Sequence, residues 1–292
     1  IDSYTSLSNM DLTQFVYGDG GSSSIGLYPT SMANPDLGWE TSSSYNLGVD
    51  FSVFNSRISG ALDVYTTKTT DLLLKVRIPN MSGYETFLSN IGETSNKGIE
   101  ITINTENIKT KDFSWNSTLV FSSNFNKILH LTGEDLNGDG KEDDDLASKW
   151  FIGYSLGSNY DYVFDGIWQE GDDFSIDKSA RPGDIKFKDL SGNGSIGPED
   201  RMVLHNNRPK AMISLNNSFR YKDFSLSFLL DARLGGYAPN AWTNPGTNQY
   251  NRTNQLDLPY WTPENPRNDR PSVGYSNPRS YGFYEKLSYL RF

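Results

Sequence analysis

Strict alternation of apolar and polar residues limits this chain more than any other feature. Over 45–52, Tyr45, Leu47, Val49 and Phe51 fall on one side, and Asn46, Gly48, Asp50 and Ser52 on the other. Ile58, Leu62 and Val64 stand opposite Ser59, Ala61 and Asp63; Ile99, Ile101 and Ile103 stand opposite Glu100, Thr102 and Asn104. Phe113, Trp115, Leu119 and Phe121 oppose Ser114, Asn116, Thr118 and Ser122. Two later segments repeat the pattern: Ile213, Leu215, Phe219 and Tyr221 against Ser214, Asn216 and Ser218, then Phe224, Leu226, Phe228 and Leu230 against Ser225, Ser227 and Asp231. Side chains alternate across a strand, so each segment carries one apolar and one polar face. Helical periodicity is nearly absent, and the chain reads as all-β.

The spacing of these segments adds to the argument. Short turns at Asn55-Ser56, Thr110-Lys111 and Lys222-Asp223 join hairpins, and long connections over 69–95, 125–211 and 235–283 separate them. Short and long connections alternate, as in an antiparallel transmembrane β-barrel with short periplasmic turns and long extracellular loops. Aromatic residues crowd the short turns: Phe51 and Phe54, Phe113 and Trp115, Tyr221 and Phe224. An amphipathic ring suits the boundary between lipid and water. An antiparallel sandwich with one buried face shows the same alternation and stays open as the alternative. The Ser-, Asn-, Thr- and Gly-rich polar faces favour a wet lumen over open solvent. On the barrel reading, Leu47, Ile101, Leu215 and Leu226 face lipid, while Asp50, Thr102, Asn216 and Ser225 face the lumen. Seven strands are counted, the last over 284–292. Single-chain bacterial barrels use even numbers, so the expectation is a partial wall of a larger barrel.

Composition excludes several classes. No apolar run approaches the 18 or so residues of a spanning helix. Aromatics make up 13% of the 292 residues, far above a disordered chain. With 26 Lys and Arg against 36 Asp and Glu, the net charge of −10 argues against nucleic acid as a partner. The absence of cysteine removes disulfides and thiolate chemistry. Ile1 is not a natural start, so the chain is read as a fragment or a mature piece. His130 and His205 are the only histidines and lie far apart in sequence, so no triad or zinc hydrolase is indicated. No carboxylate pair stands out as a glycosidase pair, and no enzyme is expected.

Four stretches point further. NPDLGWETSSSYNLGVDF (34–51), GYETFLSNIGETSNKGIEI (83–101), GDIKFKDLSGNGSIGPEDR (183–201) and YWTPENPRNDRP (260–271) resemble the barrel segment of SusC/RagA-family TonB-linked outer-membrane proteins, in family order. The closing YEKLSYLRF resembles a strand near the family's C-terminus. The resemblance makes 1–292 the C-terminal portion of a TonB-dependent receptor barrel, with the plug domain not present in this chain. It implies a Gram-negative outer membrane of Bacteroidetes type, coupling to TonB through the absent N-terminal region, and a SusD-like surface lipoprotein as partner. It also implies import of nutrient oligomers, mainly glycans but also peptides.

Two Asp-rich stretches have calcium-loop spacing. In the first, Asp189, Ser191 and Asn193 occupy positions 1, 3 and 5, with Gly194 at 6 and Asp200 at 12. In the second, Asp135, Asn137, Asp139 and Asp143 occupy positions 1, 3, 5 and 9, but Leu146 stands at 12. A structural Ca2+ is the candidate cofactor, against a turn shaped by Asx hydrogen bonds in the first stretch and a solvated acidic loop tip in the second. Aromatic rings beside amides suit sugar binding, which makes Trp168, Trp242, Tyr260 and Trp261 candidate substrate contacts; packing of the loops against themselves is the plainer alternative. Three functions compete: TonB-dependent import, a soluble carbohydrate-binding or adhesin β domain, and a structural barrel in an envelope assembly.

Overall fold

The six alternating segments lie in one sheet together with 289–291, the end of the strand expected over 284–292; Glu285 and Lys286, near its start, pair with Ala238 and Tyr237 instead. The structure, a computed structural model, describes every residue except 1–6, 8–9, 18–21, 30–31, 79, 85, 240–257 and 274–283. The sheet strands are β3 (Thr41–Val53), β4 (Ile58–Arg77), β5 (Thr86–Lys109), β6 (Phe113–His130), β11 (Ala211–Tyr221), β12 (Phe224–Leu234) and β15 (Tyr289–Arg291). Their order, β15-β12-β11-β6-β5-β4-β3, is an uninterrupted meander in which each sheet strand lies beside the next in sequence. Pairing is antiparallel from β6 through β11 and β12 to β15, with register Trp115↔Phe219, Phe219↔Leu226 and Ala232↔Leu290. The registered pairs put the expected apolar positions on one face and their polar neighbours on the other.

The three short turns fall where the sequence places them. Phe54, Asn55 and Ser56 all have positive φ (54°, 57° and 63°), and Lys222 at 49° opens the two-residue turn between Tyr221 and Phe224. The Arg57 guanidinium donates to the carbonyls of Glu106 and Asn107, tying the first turn to β5.

The strands are longer than the alternation indicates, so the expected connection over 69–95 shrinks to 78–85, and the one starting at 125 begins at 131. Parts of the added lengths, Thr69-Thr70-Asp71 and Glu93-Thr94-Ser95-Asn96, are polar on both faces, while Leu72-Leu73-Leu74 is an apolar run without alternation. A strand segment outside the apolar band of a barrel has no need of a lipid-compatible face and so loses its period. Smaller two-stranded pieces complete the fold: β1 (Met10–Tyr17) with β2 (Ser22–Pro29), β7 (Ser158–Tyr162) with β10 (Arg201–Asn206), β8 (Phe164–Ile167) with β9 (Ile185–Phe187), and β13 (Tyr237–Ala238) with β14 (Glu285–Lys286).

The chain divides into two compact units. The first comprises 1–51, 60–101 and 124–156; the second comprises 52–59, 102–123 and 157–292. Buried hydrophobics of the second unit cluster in its loop segments, where Tyr162, Ile167, Ile185, Phe187, Ile196 and Trp261 form a core joined by Phe164 and Ile176. The sheet strands contrast with that core. Leu47, Leu226, Phe224 and Leu290 are 63–78% exposed, and an open apolar face of this extent requires a covering.

Candidate lumen face and loop core

In the first unit, the polar face is held by short side-chain bonds between strands. Ser42 pairs with Thr69 and Ser44 with Thr67, each at 2.9 Å. A methyl group on Gly98 would lie 2.3 Å from the Tyr65 ring, so only glycine lets that ring lie across β5. Laid flat in this way, the Tyr65 hydroxyl accepts a 2.7 Å bond from the Asn124 amide.

In the second unit, the polar face carries Thr118 donating to Asn104 at 2.8 Å and a cluster around Asp231. The Asp231 carboxylate accepts from Ser214 at 2.8 Å, from the Tyr289 hydroxyl at 3.1 Å and from Arg291 at 3.4 Å. On the opposite, apolar face, Trp115, Phe219, Phe228 and Phe292 form a row of ring contacts at 5.5–5.9 Å. A small polar cluster interrupts that face: buried Asn217 accepts from the Trp115 indole at 3.0 Å and from Ser117 at 2.7 Å, and Asn107 donates to Ser117. With its acceptor satisfied, the amide is tolerated among apolar neighbours.

The Asp-rich loops fold on their own backbone. Asp135 accepts from the amides of Gly138, Asp139 and Gly140. Asn137 accepts from Asp139, Asp139 from Lys141, and Asp143 takes the Leu136 amide and the Asn137 side chain. In the second loop, Asp189 accepts from Gly192, Gly194 and the Ser191 hydroxyl, and Asn193 from Ser195. Asp200 is fully buried: one oxygen accepts from Leu190 and Ser191, the other from Gly197 at 2.7 Å. Burial pushes its pKa up, but the amides of Gly197, Ser191 and Leu190 outweigh that and hold it below the ordinary value. Both oxygens of the acid at position 12 are therefore spent on closing the loop. Among the described residues, no group of three or more His, Asp or Glu side chains converges to hold a metal ion.

Glu142 was not singled out by the spacing, yet it closes the first loop. It accepts from the amides of Leu131 at 2.6 Å and Gly133 at 2.8 Å, and its second oxygen lies 2.6 Å from His130 Nδ1. The other histidine, His205, stacks on Tyr237 with ring centres 4.0 Å apart.

Two of the four aromatic candidates sit inside the loop core. Trp168 is 1% exposed and stacked on Phe174, with the Lys186 amine over its ring. Trp261 is 6% exposed, and its indole donates to Gln169 at 2.8 Å. Protein atoms cover both rings, the arrangement expected where the loops pack against themselves. Tyr260 is half-buried, and Trp242 lies outside the described residues.

The four recognised stretches meet in pairs. Asn34 donates to the Leu88 carbonyl, and the Asn90 side chain bonds both the amide and the carbonyl of Gly38, joining the first stretch to the second. The third and fourth meet at Gly183, whose carbonyl accepts from Ser272 and whose missing side chain leaves room for the Trp261 ring. Asn268 and Arg267 extend that contact to Ile167 and Gln169. Each pair lies within one unit, and each stretch is explained by the contacts that hold its loops.

A two-faced antiparallel meander with one open apolar face, short turns on one side and long loops on the other matches known proteins. Residues 3–148 match the family described as TonB dependent receptor-like, beta-barrel. The chain belongs to this family. TonB-dependent receptor P3 of Formosa agariphila is 34% identical over the whole chain, which covers 30% of that protein. TonB-dependent receptor SusC of Bacteroides thetaiotaomicron is 32% identical over 78% of the chain, covering 22% of that protein. The chain thus spans less than a third of the length of the curated relatives it matches. The RagAB peptide importer in its open-open state shares the fold, with a TM-score of 0.71 at 22% identity over 100% of this chain and 31% of that one. The SusC/RagA resemblance and the barrel architecture read from the sequence are both upheld, and the protein is an outer-membrane one of Bacteroidetes type. Membership of a barrel family removes the soluble sandwich alternative.

Proposed function

We propose that this segment lines part of the passage of a TonB-dependent importer that takes up nutrient oligomers, glycans in preference to peptides, with a SusD-like surface lipoprotein. The observation that carries the reading is the pairing of an open apolar face with a hydroxyl- and amide-lined polar face on the same strands. Hydroxyl and amide groups such as Ser44, Thr67, Asn104 and Asn124 exchange hydrogen bonds with sugar hydroxyls at little cost, which supports oligosaccharide over peptide. The RagAB structures, described as those of a peptide importer, make a peptide the competing ligand. Force from TonB would act through a plug, and the long loops would meet the lipoprotein.

Structural calcium is proposed at the Asp135 loop, where Asp135 and Asp139 are exposed to an incoming ion; the amides that both Asp135 oxygens now accept would have to give way to it, whereas those around fully buried Asp200 are shielded. Calcium should raise the thermal midpoint of the native protein, and Asp135→Asn should abolish the rise; no rise at millimolar calcium removes the ion.

The test of import uses native full-length protein purified from envelopes in mild detergent. A SusD-like lipoprotein should co-purify, and the complex should bind oligosaccharides more tightly than peptides. Peptide binding alone would overturn the glycan assignment. If neither ligand class binds and no lipoprotein accompanies it, the protein is a structural barrel.

A further inference from the structure

Within the first unit, the apolar side of the sheet has a groove of about 440 Å³. Its walls include Tyr45, Leu47, Val64, Ile99 and Phe125, and Lys97 stands at its rim. The face is fixed by the opposite side chains: Gly98 lies under the Tyr65 ring and Asn124 bonds the Tyr65 hydroxyl, so Lys97, Ile99, Val64 and Phe125 point the other way. Tyr45 and Leu47 are 74% and 73% exposed, and Phe125 57%.

The level of the groove follows from strand length. Lys97 lies twelve residues from Lys109 at the turn end of β5. At about 3.3 Å per residue and a tilt of about 40°, it stands roughly 30 Å above the short turns, just past an apolar band about 25 Å tall. A lysine there meets lipid headgroups of the outer leaflet, and the rings of Tyr45 and Phe125 suit the same boundary. The neighbouring Lys68 is neutralised by Glu93 at 2.8 Å, whereas Lys97 has no ion-pair partner among the described residues.

We propose that this groove is a binding site for a phosphorylated outer-leaflet glycolipid of the lipopolysaccharide type, with an acyl chain along Leu47, Val64 and Ile99 and a phosphate against Lys97. An acyl chain gains by covering an exposed apolar wall, and the phosphate supplies the charge that Lys97 lacks. The site depends on the barrel's orientation and not on what the barrel transports.

The experiment uses the native full-length protein, stripped of lipid in detergent and incubated with purified lipid A in micelles, with native mass spectrometry reading the lipid retained. Lys97→Gln should retain about fivefold less than wild type, the worth of one surface lysine. Val64→Trp, which fills the groove, should lower retention as well. Heat-modifiable migration on gels checks that each variant assembled, and Lys97→Gln alone decides if Val64→Trp does not. Equal retention by wild type and Lys97→Gln overturns the site. A parallel arm with phosphatidylglycerol tests the headgroup class: retention equal to that of lipid A overturns the assignment to a glycolipid.

Discussion

The sheet strands and the loop core use apolar residues in opposite ways. In the loop core, Trp168, Ile167, Ile185 and Phe187 are at most 2% exposed, as in any water-soluble interior. On the sheet, Leu226 and Leu290 are 63% and 73% exposed, with polar partners on the reverse side. The loop core is stabilised by water-driven burial, the sheet by its hydrogen-bonded ladder and a solvent that accepts apolar surface. One chain thus carries two solvent environments, and a substitution should be costly or harmless according to which one it meets.

The widest separation is expected between truncations. Trp168→Ala should destabilise the loop core by about 3–5 kcal/mol, since a ring packed by Phe174 and covered by Lys186 leaves a cavity. Leu226→Ala should change stability by under about 0.5 kcal/mol in detergent. Urea unfolding of the native protein, followed by limited proteolysis of the loops, reads both. Equal costs would erase the distinction.

Charge insertion sharpens the contrast within a single strand. Leu215 faces the apolar side and Asn216 the polar side of β11. Leu215→Arg should cost about 2–4 kcal/mol of barrel stability if it lies near the bilayer midplane, whereas Asn216→Arg should be tolerated. Membrane assembly, followed by heat-modifiable migration, distinguishes the two. If both assemble equally well, the apolar face does not meet lipid.

The order of the seven strands and the side each residue takes were legible because lipid on one side and water on the other impose a period of two. Where both sides of a strand meet water, as at Thr69, Thr70 and Glu93, no pattern marks the strand, and its extent could not be read. The β1–β2 hairpin escaped for a different reason: the two halves of its alternation, around Leu12 and Ile25, are too short to stand out beside the longer segments. In the loops, a ring that packs and a ring that binds look alike. The Trp261 indole is bonded by Gln169, and the space beside Gly166 is filled by Asn268, each partner about a hundred residues away in sequence. Likewise, counting ligand positions favoured Asp143 over Glu142, although Glu142 takes the two loop amides.

Asp200 provides an acid-sensitive version of the comparison. Asp200→Asn turns an NH2 group toward one of the three amides the carboxylate now accepts, a cost of about 1–3 kcal/mol confined to the loop core. Its folded pKa lies below the ordinary 3.8, so its contribution is complete above that value and is lost as pH falls through the lower folded pKa. Wild-type loops should therefore lose protease resistance more steeply below pH 4 than the Asn variant. Parallel acid profiles would remove Asp200 as the cause.

The smallest effect is expected on the polar face, where water competes for every group. Tyr65→Phe keeps the ring over Gly98 and removes only the hydroxyl that accepts from Asn124, so its cost should be about 0.5–1.5 kcal/mol. Gly98→Ala should cost more, because the methyl group displaces the ring as well as the bond. A loss in Tyr65→Phe matching that in Gly98→Ala would mean that the hydroxyl, not the fit of ring to glycine, holds this stretch of the wall. Urea midpoints of the two variants in the same detergent decide between a face held by packing and one held by its hydrogen bonds.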